Sequence, residues 1–244
     1  MVLVLCYHAV SEHWPAPLAV RPGRLEAQLR LLRLRGYRGA TFYEALTSPP
    51  AAKTVAVTFD DAFRSVLELA FPILARADVP GTVFVPTAFP DGGHPLHWTG
   101  IDHWSGGPYA SELAGLTWDE LRALADAGWE IGSHTHTHPR LTELDDGALA
   151  AELEQSRAAC ERETGRPCRS LAYPYGDVDA RVIAATRSAG YEVAAGLPAR
   201  PGPSLPLAWP RVGVYHADAL WRFHLKTFPL VHRVYAARRR ESAT

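Results

Sequence analysis

Two adjacent carboxylates, Asp60 and Asp61, close the apolar run Val55-Ala-Val-Thr-Phe, and three histidines, His134, His136 and His138, follow Ile131-Gly-Ser within five residues. Neighbours in a strand point to opposite sides, and where the strand ends the chain can turn so that one carboxylate faces a metal and the other the metal's water. By itself such a pair equally serves as a helix cap beside a solvated acid. His134 and His138 stand four apart, so one helical turn puts both imidazoles on one side, as a metal site needs, with His136 pointing elsewhere. A single histidine is more often a core or surface group, but three straight after a strand favour metal binding. With Asp61 the set becomes two imidazoles and a carboxylate, leaving coordination positions open for water and substrate, as in catalytic sites. A third run, Leu171-Ala-Tyr-Pro-Tyr-Gly176, ends a strand in a tight turn that can aim a backbone N–H, such as that of Tyr175, at a developing oxyanion. The same residues also suit a plain strand-to-helix turn.

The elements that must hold these groups alternate along the chain. Short β-branched runs are expected as strands at 2–7, 38–41, 54–59, 81–85, 129–133, 169–173, 191–195 and 211–215. Between them, Leu25, Leu29 and Leu32 form one helical stripe and Leu149, Leu153 and Cys160 another. Thr117 with Glu120 fits a capping box, and Gly128 a helix stop. Such alternation suits a doubly wound sheet or a (β/α) barrel, and the lack of a Gly-rich dinucleotide fingerprint after the first strand favours the barrel. Barrel sites gather where strands end, and His8, Asp60 with Asp61, His134 and Tyr175 all follow strands.

At 244 residues the chain is expected to form a single α/β domain over 1–244, with 228–244 as a C-terminal tail that includes the short basic run Arg238–Arg240. A formal net charge of −1 gives no electrostatic reason for a nucleic acid or an anionic membrane as main partner. Three cysteines without a CxxC pair fit a reducing compartment. The apolar start lacks a basic n-region and reads as a first core strand, and no stretch reaches the ~20 apolar residues of a spanning helix. From the missing export signal a cytoplasmic, membrane-adjacent role on a biosynthetic intermediate is expected. The segment 86–115 has no clear period and carries Trp98, Trp104 and Tyr109, which either stack on sugar rings or form a small satellite core.

Taken in order, TFDD, HTxxH followed by Pro, and YPYG resemble the motifs of the polysaccharide deacetylases, carbohydrate esterase family 4, over most of the chain. The resemblance implies a distorted (β/α)7-8 barrel and metal-dependent removal of an N-acetyl group from an N-acetylated saccharide, with release of acetate. It makes Asp60 the base and Asp61, His134 and His138 the ligands of a divalent ion, usually Zn2+. The family's TFDDG reads TFDDA here, with Ala62, and its Arg-Pro-Pro-Tyr reads Ala-Tyr-Pro-Tyr. Its late Leu-x-x-His is found instead at the N-terminus as Leu5-Cys-Tyr-His8, as in the permuted subgroup resembling poly-N-acetylglucosamine deacetylases, which makes His8 the general acid with His216 as rival. A second Asp-rich motif is not evident, and Arg211 is placed as a cation near Asp60. Asp218 and Trp221 read as helix-start and packing residues. A metal-dependent amidase acting on a non-sugar amide, or a carbohydrate-binding protein without turnover, are the other classes in view.

Overall fold

The computed structural model describes residues 1–48, 53–197 and 205–228, so the expected tail beyond 228 lies outside the described residues. In chain order the elements are β1 (Val2–Tyr7), β2 (Ala9–Val10), β3 (Ala19–Val20), α1 (Pro22–Leu34), β4 (Tyr37–Ala40), α2 (Phe42–Thr47), β5 (Lys53–Phe59), α3 (Phe71–Arg76), β6 (Gly81–Val85), α4 (Trp118–Asp126), β7 (Glu130–Ser133), α5 (Asp146–Thr164), β8 (Ser170–Ala172), α6 (Ala180–Ser188), β9 (Val193–Gly196), β10 (Trp209–Pro210), β11 (Val212–Gly213) and α7 (Leu220–Lys226). Nine of the described strands form one parallel sheet in the order β10-β9-β8-β7-β6-β5-β1-β11, with β4 against the first half of β5, while β2 and β3 pair separately.

The two ends of that sheet belong to one segment. β10 pairs with β9, β11 pairs with β1, and only Arg211 separates them, so the sheet all but closes into a barrel around this residue. Pro210 has no N–H for a ladder, which keeps the seam short. The expected strand 211–215 is thus two short pieces joined at the first of its residues.

Alternation along the strands sorts the side chains into two sets. Leu3, Leu5, Val55, Val57, Phe59, Val83 and Val85 face outward into the main core with the leucines of α1, α4 and α5. Val4, Ala56, Phe84, Ala172, Val193 and Ala195 pack together as the barrel interior. The interior is narrow: a Cβ on Gly132 would lie 2.6 Å from the Phe84 ring. Small residues on the strands leave room for Phe84, which meets Phe42 of α2 edge-on, and polar side chains of the same parity continue to the rim: Cys6 and His8 after Val4, Thr58 and Asp60 after Ala56, His134 after Gly132.

Helix starts follow local chemistry. Both Thr41 with Glu44 and Thr117 with Glu120 form reciprocal capping boxes, the second as expected from the sequence. Asp218 is buried and accepts from Tyr215 N–H and Lys226 Nζ, while α7 begins two residues later at Leu220. Trp221 departs from its expected packing role and is 64% exposed. Among the described residues no helix is long and apolar enough to cross a membrane.

Candidate active site and metal centre

Because every strand of the barrel is parallel, the groups that follow strands meet at one rim. Register places Tyr7 beside Phe59, and the Asp60 N–H donates to the Tyr7 carbonyl at 2.9 Å, so His8 and Asp60 leave adjacent strands together. Strand parity turns Asp60 inward. Asp61 has the opposite parity and would face away, but its φ of 72°, followed by 56° at Ala62, turns the chain so that it joins the site. Left-handed backbone is costly for residues with a Cβ. Of the seven non-glycine residues with positive φ among the described residues, five stand here: Asp61, Ala62, Thr135, His138 and Tyr175.

Asp61 Oδ1 lies 3.4 Å from His134 Nε2 and 3.3 Å from His138 Nε2, and all three side chains are buried. The His134 Nδ1–H donates to the Ala172 carbonyl at 2.8 Å, which leaves the Nε2 lone pair facing Asp61. Asp61 Oδ1 itself receives no hydrogen bond. Three lone-pair donors facing one another in a buried space are unfavourable unless a cation lies among them. Around an ion with bonds of about 2.0–2.1 Å, tetrahedral ligand atoms are separated by about 3.3–3.4 Å, so the donor set fits a divalent ion of that size.

The histidine pair reaches this geometry differently from the expected helical turn. Residues 134–138 form an irregular loop, with φ of 66° at Thr135 and 64° at His138, and a continuous helix is incompatible with both. Glu152 on α5 holds the loop in place, its Oε2 accepting from the N–H groups of His136 (2.7 Å) and Thr137 (2.9 Å) and its Oε1 from the Thr137 hydroxyl. His136 is directed away and pairs its Nδ1 with the Thr87 hydroxyl at 3.0 Å. Trp98, from the long loop, stacks on the His138 ring with centroids 4.2 Å apart, and Tyr175 stands edge-on to it at 4.9 Å. The other loop aromatics, Trp104 and Tyr109, pack with Trp14 and Phe63 as a satellite core, the second of the two roles expected for the segment.

Beside the ligand trio, Arg211 grips Asp60 with both terminal nitrogens, Nη1 to Oδ1 at 2.6 Å and Nη2 to Oδ2 at 2.8 Å, inside the barrel. Nη1 also donates to the Thr58 hydroxyl, and the Cys6 thiol lies 3.4 Å from Asp60 Oδ2. Burial pushes the Asp60 carboxyl up, but Arg211 and then His134 outweigh it and bring its pKa down to about 2. Burial likewise opposes ionisation of Asp61, and where no ion lies among the donors, N–H groups of the two imidazoles turned toward it hold it far below the usual carboxylate range. Burial alone would lower the His134 pKa, yet Asp60 and Asp61 raise it, whereas at His138 burial prevails and lowers it. Burial keeps Cys6 protonated.

His8 offers a ring nitrogen within 4.8 Å of both the Cys6 sulfur and an Asp60 oxygen, and its Nδ1 is buried without a partner. Its rival His216 is tied elsewhere, the backbone N–H to Pro17 and the ring Nδ1 to the Ala19 carbonyl at 3.2 Å. Tyr175 sits in the Pro174–Gly176 turn at φ 59°, with its hydroxyl to the Thr99 carbonyl and the Arg140 guanidinium 4.2 Å above its ring. The structure therefore gathers His8, Asp60, Asp61, His134, His138, Tyr175 and Arg211 at one rim. Cys6, Thr58 and Glu152 were not singled out from the sequence. Cys6 and Thr58 carry a signal after the fact, since both share strand parity with Asp60.

A family model described as polysaccharide deacetylase matches residues 47–194. The Bacillus subtilis (strain 168) protein YxkH, named for the same family, is 26% identical over 204 residues, covering 82% of this chain and 64% of that protein. A poly-beta-1,6-N-acetyl-D-glucosamine N-deacetylase of Staphylococcus aureus (strain MSSA476) is 23% identical over 185 residues, covering 70% of this chain and 59% of that protein. The chain thus spans less than two thirds of the length of these relatives. The Streptococcus pyogenes deacetylase PplD has the same fold, with a TM-score of 0.78 at 21% identity over 93% of this chain and 98% of that one. Since the matched region takes in β5 with its two aspartates, the histidine loop and the turn at Tyr175, and extends over more than half of the sequence, this chain belongs to the polysaccharide deacetylase family.

Proposed function

We propose that the chain is a metal-dependent carbohydrate N-deacetylase that converts an N-acetylated amino sugar into the free amine and acetate. The observation that carries this reading is the buried trio in which Asp61 lies within 3.4 Å of both His134 and His138, beside an ionised, arginine-held Asp60. A divalent cation held by that trio, Zn2+ on the strength of its two-nitrogen, one-oxygen donor set, supplies Lewis acidity and makes water a stronger acid.

Asp60 is the proton acceptor. Arg211 occupies a lone pair on each of its oxygens and Cys6 a second on Oδ2, which leaves Oδ1 with a free lone pair. The same arginine that keeps Asp60 ionised also weakens it as a base, so its contribution is position and charge state more than proton affinity. Attack of the water oxygen on the acetamide carbon places negative charge on the former carbonyl oxygen, for which the Tyr175 N–H is the donor on this chain. As the C–N bond breaks, His8 gives its proton to the departing amine. The aromatic rim at Trp98 and Tyr175 presents flat apolar faces next to the ligands, which suits a sugar ring. The printed activity of the staphylococcal relative favours N-acetylglucosamine oligomers as the first substrate to try.

The test is acetate release from β-1,6- and β-1,4-linked N-acetylglucosamine oligomers and from small non-sugar acetamides, by full-length protein stripped with a chelator and reloaded with zinc. Release from a glycan that vanishes on stripping and returns with one equivalent of zinc is expected. Activity indifferent to the chelator, or confined to non-sugar amides, contradicts the reading.

A further inference from the structure

The balanced net charge of the chain conceals a strong local separation. Residues 29–38 and 219–228, twenty in all, carry Arg30, Arg33, Arg35, Arg38, Arg222 and Lys226 and no acidic residue, on a chain whose formal charge is −1. The fold brings these two stretches together: Arg35, just past α1, donates to the Thr227 hydroxyl at 2.9 Å and lies over the Phe228 ring. Lys53 Nζ, at the start of β5, donates to the Arg35 carbonyl at 3.0 Å, which places the pair of helix ends at the base of the barrel, opposite the site rim.

The same face is apolar as well as basic. Leu34 is 75% exposed, Trp221 64%, Leu225 54% and Phe228 40%; Trp221 and Leu225 stand one turn apart on α7, and Phe228 follows two residues past its end. A soluble surface with no partner rarely gathers such residues. Next to them a cleft of about 430 Å³ has walls from Leu29, Leu32 and Val79, with exposed Arg33 and Arg38 at its edge, Asp78 as its one acid, and the buried, unpartnered hydroxyl of Tyr37 on its lining residue. Lys226 is already paired with Asp218, so the arginines supply the available charge.

From these observations we infer that the base of the barrel seats on an anionic phospholipid surface, with Trp221, Leu225, Phe228 and Leu34 entering the acyl boundary and Arg30, Arg33, Arg38 and Arg222 meeting the headgroup phosphates. Apolar burial together with lysine or arginine at the headgroup level is the balance that interfacial anchors use. Strands of about seven residues then hold the catalytic rim roughly 20 Å above the lipid, facing away from it. The substrate reached this way is a glycan extending from the surface, not a lipid headgroup. The docking itself does not depend on the deacetylase reading, whereas the glycan as substrate rests on it.

Co-sedimentation of the full-length protein with vesicles of phosphatidylcholine alone, and with equal parts phosphatidylglycerol, tests it. Binding only to the anionic vesicles, released by salt, is expected. Arg33→Gln with Arg222→Gln should weaken it by about 25-fold, or about fivefold for each arginine removed. Trp221→Ala with Leu225→Ala should weaken it about tenfold or more, with the thermal unfolding midpoint of both variants unchanged because all four side chains are exposed. Equal binding to both vesicle types, undiminished binding by either variant, or self-association of the protein without vesicle binding overturns the inference.

Discussion

At the base of the barrel the partly buried carboxylate of Glu130 accepts from the Tyr43 N–H at 2.8 Å and from the hydroxyls of Thr82 and Ser170, while at the rim the more deeply buried Asp61 Oδ1 accepts from none of the described residues. Both carboxylates belong to the same closed sheet, and the backbone beneath them differs in the same sense. β7 enters at Glu130 with ordinary strand geometry, whereas Asp61 and Ala62 are forced to positive φ. A buried charge whose lone pairs are filled by the protein contributes to one folded state and to little else. One left open at the cost of backbone strain is a place where something outside the chain completes the structure.

The contrast can be broken most sharply at Asp60. Asp60→Asn should lower kcat by about 10²–10⁴-fold while the metal content measured on the purified protein is retained, because the base and the ligands are separate side chains. Loss of metal in this variant would merge two roles that the geometry keeps apart. At the base the effect should be on stability alone. Glu130→Ala leaves three donors without an acceptor and should cost about 1–3 kcal/mol in urea unfolding, with kcat unchanged. Burial also raises the Glu130 pKa above its usual value, so its favourable contribution is complete below about 4.5 and is lost as pH rises through the folded-state value. Glu130→Gln should remove that part of the pH dependence, and an identical slope in both proteins would show that the carboxylate is not strained by burial. The smallest effect is expected at Ala62, where φ is 56°. Ala62→Gly should stabilise the protein by about 1 kcal/mol, read as a higher unfolding midpoint, and no gain would mean that the Ala62 methyl in the core outweighs the strain.

Much of the rim was legible because its residues sit where strands stop, and strands reveal themselves by β-branched runs. Asp60, Asp61 and His134 each follow such a run, and parallel pairing does the rest. Arg211 could be placed near Asp60 from its position in the last strand, although the bidentate geometry could not. The histidine spacing suggested the right pair for the wrong reason: four residues apart suits a helix, but two left-handed residues achieve the convergence, and neither Thr135 nor His138 advertises that conformation. Glu152, fourteen residues beyond His138, acts through backbone N–H groups, which leave no trace in side-chain spacing. Cys6 looked like strand filler because it sits in an apolar run between Leu5 and Tyr7 and its partner is fifty-four positions away. The basic, apolar face at the base escaped because charge averaged over a whole chain hides what two helix ends bring together.

The seam at Arg211 ties chemistry to the completion of the chain. Asp60 emerges early in synthesis, yet the guanidinium that orients it arrives only with the short segment that spans both edges of the sheet. Until that clasp fastens, a half-made chain holds a misdirected acid and an open cylinder. On the proposed deacetylase reading, products that end before residue 211 lack the guanidinium that holds Asp60 and are expected to be inactive.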